Sequence, residues 1–517
     1  MSRQRYRPVD LPAWRKLVSH NAAVAGTRID DLFSDDPERF HRLSFAAGDL
    51  FVDFSKNRIT DETLRGLITL AREAGVETWI EKLFDGDLVN TTEQRPALHW
   101  AARDLNHTGT QETVRRFREF GVQLQNRPGS GITDVINLGI GGSHLGVAMA
   151  ADALSAYRTE GRRVHFVAGS DGVALGRLLD RLQPENTLAI VCSKSFTTAE
   201  TLSNARIVRD WFVSVGSGAL GEHLAGVSAH PERMAGFGIP ESAQFPMSEG
   251  IGGRYSVWST AGLALALAIG VDRFEEMLSG ARVIDRHFRD TAFEQNLPVI
   301  FGLLEVWNVS FFGTRARAIV PYDERLLQLP CYLQQLVMES NGKGVTRDGE
   351  PVEWPTGPIV FGGVGPAVQH SFFQLLHQGP ETIPVEFLIP RDAIANHDSE
   401  HRAVVAAALA QSRALMTGRR DPTAPYRDEP GNRPSTTILY PRLDPGTLGQ
   451  LLALYEHQTF VAAVVWGINP FDQFGVELGK QVAGDLERLL AGDGKAGELD
   501  ASTLGLASLL SRTDRDD

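Results

Sequence analysis

Several short segments of this chain collect residue types that can bind an anion or move a proton. The densest is Ser193-Lys194-Ser195-Phe196-Thr197-Thr198, where hydroxyls and one ammonium crowd a single loop. An apolar run, 187–192, precedes it, and a helical pattern opens near Thr198. Short O–H donors, open N–H groups and the positive end of a helix dipole together suit a phosphate. Thr197 and Glu200 also fit a capping box, a purely structural use that accounts for those two residues and not for the others. Earlier, Asn137-Leu138-Gly139-Ile140-Gly141-Gly142-Ser143 joins a strand to a helix. Glycines there let backbone N–H groups approach an anion. The third glycine of a dinucleotide fingerprint would fall on His144, and no Gly-Lys-Ser/Thr follows, so the segment departs from both nucleotide-loop patterns.

Proton transfer needs a carboxylate or imidazole with a partner for the developing negative oxygen. Gln335 and Glu339 are four apart, on one face of a helix expected over 326–339 and stopped by Asn341-Gly342. In that last turn the helix dipole opposes a negative charge, a placement suited to a carboxylate that must accept a proton. Gly252-Gly253-Arg254-Tyr255-Ser256 sets an arginine beside two glycines, where it could steady an oxyanion or pair with phosphate. Gln369-His370 and His377 supply imidazoles one helical repeat apart, and residue chemistry does not choose between them. Gly467-Ile468-Asn469-Pro470 breaks a helix, and another begins near Gln473 and carries Lys480. His397 and His401 have helix-compatible spacing for a metal, but no third ligand lies nearby, so no metal site is expected.

The elements that must position these groups read as α/β. Residues 11–125 are mostly helical in pattern, with no chemistry expected from them. From Asp134 onward, apolar β-favouring runs at 134–138, 164–167 and 187–192 alternate with helical stretches, as βαβ units of a parallel sheet do. Helical patterns at 274–288 and 297–312 follow, then strand-like runs at 318–320, 358–361 and 384–388, which suggest a second α/β unit. Residues 417–435 read as a long surface loop and 448–466 as a large helix. The chain has 517 residues, a net charge of −13 and two cysteines, Cys192 and Cys331. An acidic balance disfavours nucleic acid and anionic membranes as partners. Both cysteines sit in apolar stretches and are expected to be buried thiols in a reducing, cytoplasmic setting. The longest lipid-like run, 261–271, is about half of what a bilayer requires.

In order and spacing, these segments resemble the phosphoglucose isomerase family from about Asn137 to Lys480. Asn296-Leu297-Pro298-Val299, Pro321-Tyr322-Asp323, Thr356-Gly357-Pro358-Ile359-Val360 and Gly431-Asn432-Arg433-Pro434 match as well. The resemblance implies an α/β fold of two doubly wound, parallel-rich domains of the sugar-isomerase (SIS) type with helical N- and C-terminal extensions. The boundaries expected are 1–110 for a mostly helical segment packed on the second domain, 111–285 and 286–490 for the two domains, and 491–517 for the tail. It implies reversible isomerisation of glucose 6-phosphate and fructose 6-phosphate through a cis-enediolate after ring opening, in glycolysis and gluconeogenesis, without metal or cofactor. Phosphate and substrate binding would fall to Gly142, Ser143, Ser193, Lys194, Ser195, Thr198, Gln335 and Gln473. Glu339 would be the base, Arg254 the oxyanion partner, and His370 and Lys480 the ring-opening groups. The Phe372-Phe373 pair selects His370 over His377 within the family pattern. The family's homodimer would have His370 reach the neighbouring subunit's site. Ser195 stands where Thr is usual and His144 where Asp is usual, and 245–251 and 363–368 also depart from the pattern. Other functions considered are a non-catalytic sugar-phosphate-binding regulator of the same domain type, an isomerase that also takes mannose 6-phosphate, and a nucleotide-dependent oxidoreductase.

Overall fold

In the computed structural model, residues 5–126, 131–214, 220–393, 397–492 and 499–511 are described. The chain divides into two units, 1–471 and 472–517. The first is built on two sheets whose strands are β1 (Ser44–Ala47), β2 (Leu50–Asp53), β3 (Asp134–Leu138), β4 (Arg163–Val167), β5 (Thr187–Cys192), β6 (Leu224–Ser228), β7 (Gln244–Pro246), β8 (Ala316–Pro321), β9 (Ile359–Gly362), β10 (Val385–Pro390) and β11 (Ser435–Tyr440).

One sheet has the order β4-β3-β5-β6-β7 and is parallel throughout. Every residue of β3, β5 and β6 is buried, which explains why β3 and β5 read as largely apolar runs rather than alternating ones. The other sheet has the order β1-β2-β11-β10-β8-β9. Strands β8 to β11 are parallel, and the hairpin β1–β2 closes one edge antiparallel to β11. Numbered within each sheet, β3-β4-β5-β6 and β8-β9-β10-β11 follow the same spatial order, second-first-third-fourth. The second α/β unit suggested by the sequence is therefore a topological copy of the first.

The helix Pro445–Trp466 is buried along nearly its whole length, as a helix apolar on all sides must be. It lies against Val271–Asp290, and glycines set the separation. A Cβ on Gly280 would come within 2.0 Å of Gly446 O, and one on Gly449 within 2.0 Å of Met277 O. A second, smaller core covers one face of β8 and β10, with Tyr322, Phe373, Phe387, Ala408 and Leu415.

Sequence patterning missed the hairpin β1–β2, the short strands β6 and β7, and β11. It also ran the helix 326–339 as one piece. The structure instead has a 3-10 turn at Glu324–Leu326, an α-helix at Leu329–Leu333 and a π-helical stretch at Gln334–Glu339. Cys192 is buried, but Cys331 is exposed, because the short helix that carries it turns that position outward. Among the described residues no helix is long and apolar enough to cross a membrane. The second unit contains the helices Glu477–Leu490 and Ala501–Ser511.

Candidate active site

In the order β4-β3-β5-β6-β7 the winding reverses between β3 and β5. Open parallel sheets bind ligands at the carboxyl ends of the strands flanking such a reversal. Gly139–Ser143 follows β3 and Ser193–Thr198 follows β5, so the strand order sets the two anion-loop candidates side by side. Ser143 is also hydrogen-bonded to Cys192, the last residue of β5, whose thiol burial pushes up to about 11. Asn137 Nδ2 donates to Ser143 O at 3.1 Å and braces the first loop from within β3.

The second loop is held open by its own hydroxyls. Ser193 Oγ accepts from Phe196 N at 3.1 Å and lies 3.1 Å from Thr198 Oγ1. Phe196 is buried with φ of 50°, a left-handed backbone uncommon for a bulky residue. The turn therefore gathers Ser193, Ser195 and Thr198 at the start of the helix Ala199–Ser214. Thr198 O accepts from Leu202 N at 3.0 Å, while Thr197 Oγ1 donates to Ser195 Oγ at 2.8 Å. The helix thus starts from Thr198, and the Thr197 hydroxyl of the supposed capping box is turned to Ser195 instead. Lys194 Nζ donates to the carbonyls of Glu249 at 2.8 Å and Ile251 at 3.0 Å. Burial holds that ammonium below its usual range even with Glu249 nearby.

Glu339 closes the π-helical stretch. Such stretches reorient a few side chains within a helix and recur at functional sites. Gln335 Nε2 donates to Glu339 Oε2 at 3.0 Å, and Gln335 Oε1 is buried without a hydrogen-bond partner among the described residues. An orphaned buried acceptor marks a place for a ligand donor. The same glutamine reaches the first loop, because a Cβ on Gly141 would lie 3.2 Å from its Nε2.

Arg254 comes from the 3-10 turn Gly253–Tyr255. Its Nη1 lies 3.4 Å from Glu339 Oε2, with the guanidinium side chain 1% exposed and the glutamate 25%. The cation is therefore dry and fixed, while the carboxylate stays within reach of a ligand. Arg254 Nε donates to Ser340 Oγ at 2.6 Å, its Nη2 donates to the Pro470 carbonyl, and Tyr255 OH meets Ser340 Oγ at 2.9 Å. Gly142 packs flat on Gly253, so the arginine turn and the first anion loop touch backbone to backbone.

The remaining candidates lie apart from this cluster or in the other unit. His370 is exposed in the turn after Gly365–Val368. Among the described residues no hydrogen bond or ion pair joins it to Glu339, Gln335 or Arg254. His377, the alternative imidazole, is committed to Gln411 Oε1 at 2.8 Å. Gln473 and Lys480 belong to the second unit. There Lys480 lies in the first turn of Glu477–Leu490, with Nζ 2.9 Å from Glu477 Oε1. His401 Nε2 lies 3.1 Å from the Arg391 carbonyl.

Sequence reasoning also missed a layer beneath the site. Arg103 is fully buried and contacts Asp285 at 2.6 Å, and it also pairs with Glu456. Trp258 Nε1 donates to Glu456 Oε1 at 2.8 Å, and His457 Nε2 lies 2.7 Å from Asp285 Oδ1. His99 packs its ring on Tyr255 at 4.8 Å. Glu456 and His457 in the middle of an apolar helix were the available signal, since charged groups are buried there only when paired.

A glycine loop and a hydroxyl-rich loop at a sheet reversal, beside a carboxylate faced by a buried guanidinium, mark an α/β protein of the sugar-isomerase type. The chain belongs to the phosphoglucose isomerase family, whose model matches residues 53–507. It is 45% identical over 528 residues to glucose-6-phosphate isomerase of Burkholderia multivorans, across 96% of this chain and 97% of that one. It is 47% identical to glucose-6-phosphate isomerase of Xanthobacter autotrophicus, across 93% and 94%. The crystal structure of a glucose-6-phosphate isomerase from Chlamydia trachomatis superposes with a TM-score of 0.87 at 30% identity, covering 98% of this chain and 99% of that one.

Proposed function

We propose that this protein interconverts glucose 6-phosphate and fructose 6-phosphate by moving a proton between C2 and C1. The observation that carries the proposal is the Glu339 carboxylate held 3.4 Å from the buried Arg254 guanidinium. Ser193, Ser195 and Thr198, with the N–H groups near Gly142 and Ser143, take the phosphate and so fix the far end of the sugar. That remote binding energy aligns the reacting carbons with the base. His370 and Lys480 move protons at the ring oxygen and anomeric hydroxyl to open the ring. Glu339 removes the C2 proton, the electron pair forms the C1–C2 double bond, and the carbonyl oxygen becomes an enediolate that Arg254 stabilises. Gln335 and Gln473 hold the sugar hydroxyls. Passage of the hydroxyl proton from O2 to O1 and return of the carbon-bound proton at C1 give the ketose, and the same steps in reverse give the aldose.

The exposed His370 supports a homodimer in which it serves the neighbouring subunit's site. In the 111–285 and 286–490 division, the first domain supplies the phosphate loops and the second supplies the base. A cytoplasmic place in glycolysis and gluconeogenesis accords with this substrate pair. A regulator that only binds sugar phosphates has no use for a carboxylate–guanidinium pair beside the phosphate loop. Glu339→Gln keeps the shape and removes the base. It is expected to lower kcat by about 10³-fold, within the range seen for positioned general bases, and to leave KM within about threefold. Turnover near the unsubstituted rate would remove Glu339 from the role.

A further inference from the structure

Lys194 sits inside the hydroxyl loop, yet its half-buried ammonium is engaged by backbone carbonyls of another segment. Its Nζ donates to Glu249 O at 2.8 Å and Ile251 O at 3.0 Å, with the Glu249 carboxylate 3.8 Å off. An ammonium has three protons to give, and two are spent on these carbonyls. The intervening carbonyl, that of Gly250, accepts from Leu98 N at 2.8 Å. Three consecutive carbonyls are thus satisfied, and the lysine holds the outer two. The backbone of Lys194 is fixed in turn, since its carbonyl accepts from Ala229 N and Ser228 Oγ, both at 3.0 Å.

The segment so held runs directly into Gly252-Gly253-Arg254. Ile251 is buried, Gly253 is seated on Gly142, and the arginine follows at once. Lys194 therefore spans from the end of β5 to the chain after β7 and pins the entry to the arginine turn. We infer that Lys194 is a positioning residue that ties Arg254 to the phosphate loop, and that hydroxyl and N–H groups, not this ammonium, recognise the phosphate. A phosphate seated at the loop is then linked through Lys194 to the segment that carries the oxyanion partner, which routes remote binding energy to the reacting carbons.

The inference rests on the isomerase proposal for its kinetic part only. Lys194→Met removes the donors and keeps most of the stem, and Lys194→Arg keeps a cation that can donate to carbonyls. Inorganic phosphate affinity is measured by calorimetry on each folded protein, and kcat and KM are measured with fructose 6-phosphate. A tether predicts that Lys194→Met loses about tenfold or more in kcat, holds its phosphate Kd within about threefold, and is restored by Lys194→Arg. A phosphate Kd weakened about tenfold, or a kcat within about threefold of the unsubstituted protein, overturns it. Should Lys194→Met not fold, Lys194→Gln, with one remaining amide donor group, is judged on the same two measurements. Absence of turnover in the unsubstituted protein would instead sink the isomerase proposal, and the phosphate measurement would still decide whether Lys194 is a ligand.

Discussion

Gly142 and Gly253 meet face to face, and the contact is not symmetrical. A Cβ built on Gly142 falls 2.0 Å from Gly253 C, 2.2 Å from its O and 2.5 Å from its Cα, whereas ordinary contact begins at 3.4 Å. All three obstacles are backbone, so no side chain can swing aside, and the two loops must part by about 1.4 Å, the difference between 3.4 and 2.0 Å. Arg254 is the next residue, and its guanidinium stands 3.4 Å from the Glu339 carboxylate. Misplacement of a catalytic group by ~1 Å costs about 10²-fold in rate, equivalent to ~2.7 kcal/mol of barrier. Gly142→Ala should therefore lower kcat for fructose 6-phosphate isomerisation by about 10²-fold. Overpacking of this kind costs roughly 1–3 kcal/mol of stability, so the protein should still fold, as circular dichroism and a melting curve would report. The reverse substitution is the control. A Cβ on Gly253 meets nothing nearer than Gly142 Cα at 3.6 Å, and neither glycine has a positive φ. Gly253→Ala should keep its rate within about threefold. Equal damage from both substitutions, or a Gly142→Ala rate within about threefold of normal, would refute the idea that this one contact sets the arginine's position.

The buried layer yields two further tests. Arg103→Met leaves the Asp285 and Glu456 carboxylates buried without their cation, and breaking such a pair costs about 3–5 kcal/mol; a denaturation shift worth under about 1 kcal/mol would contradict it. Burial pushes Glu456 up to about 7 from 4.5 and His457 down to about 4 from 6.5. A raised carboxyl favours the fold at low pH and loses that contribution as pH rises from 4.5 through 7, while a lowered imidazole loses its contribution as pH falls from 6.5 through 4. Between about pH 5 and 6 the two oppose one another, so Glu456→Gln should unmask a pH dependence in which stability falls toward acid; a pH dependence unchanged from the parent protein would count against the assignment.

What the sequence disclosed follows from how each element is encoded. Strands β3 and β5 were read to the residue because buried parallel strands are largely apolar runs bounded by turn signals. The hairpin β1–β2 and strand β11 were not, because short strands among polar and helical neighbours carry weak period-two patterns, and β11 follows a proline- and glycine-rich stretch that reads as loop. The hydroxyl loop was legible because its composition is rare. The use made of Lys194 was not, since its partners are the carbonyls of Glu249 and Ile251, and a carbonyl has no residue type. The π-helical turn at Gln334–Glu339 was hidden for the same reason, as hydrogen-bond register leaves side-chain identity unchanged. His99, Arg103 and Glu456 were invisible as a group because they are far apart in sequence and only packing brings them together.

The repeated strand order sharpens the division of labour between the two sheets. A second reversal lies between β8 and β10, and the polar side chains just beyond β8 there are bonded to the protein itself. Asp323, just beyond β8, gives both carboxylate oxygens to Arg325 at 2.9 and 2.7 Å and also accepts from Tyr440 OH at 3.0 Å. Tyr322 seats the next turn, because a Cβ on Gly365 would fall 2.3 Å from its ring, and its hydroxyl accepts from Gln369 Nε2 at 2.6 Å. Gln369 is the residue before His370. At the first reversal the hydroxyls of Ser193, Ser195, Thr197 and Thr198 bond within their own loop, while at the second Asp323 and Tyr322 bond to neighbouring elements and fix a turn whose next side chain is an exposed imidazole. A parallel sheet offers the same ligand crevice wherever its winding reverses. Whether that crevice is lined by free-standing loops or tied into a neighbouring turn depends on the residues at its strand ends: glycine and hydroxyl loops at the first, and Tyr322 and Asp323 at the second.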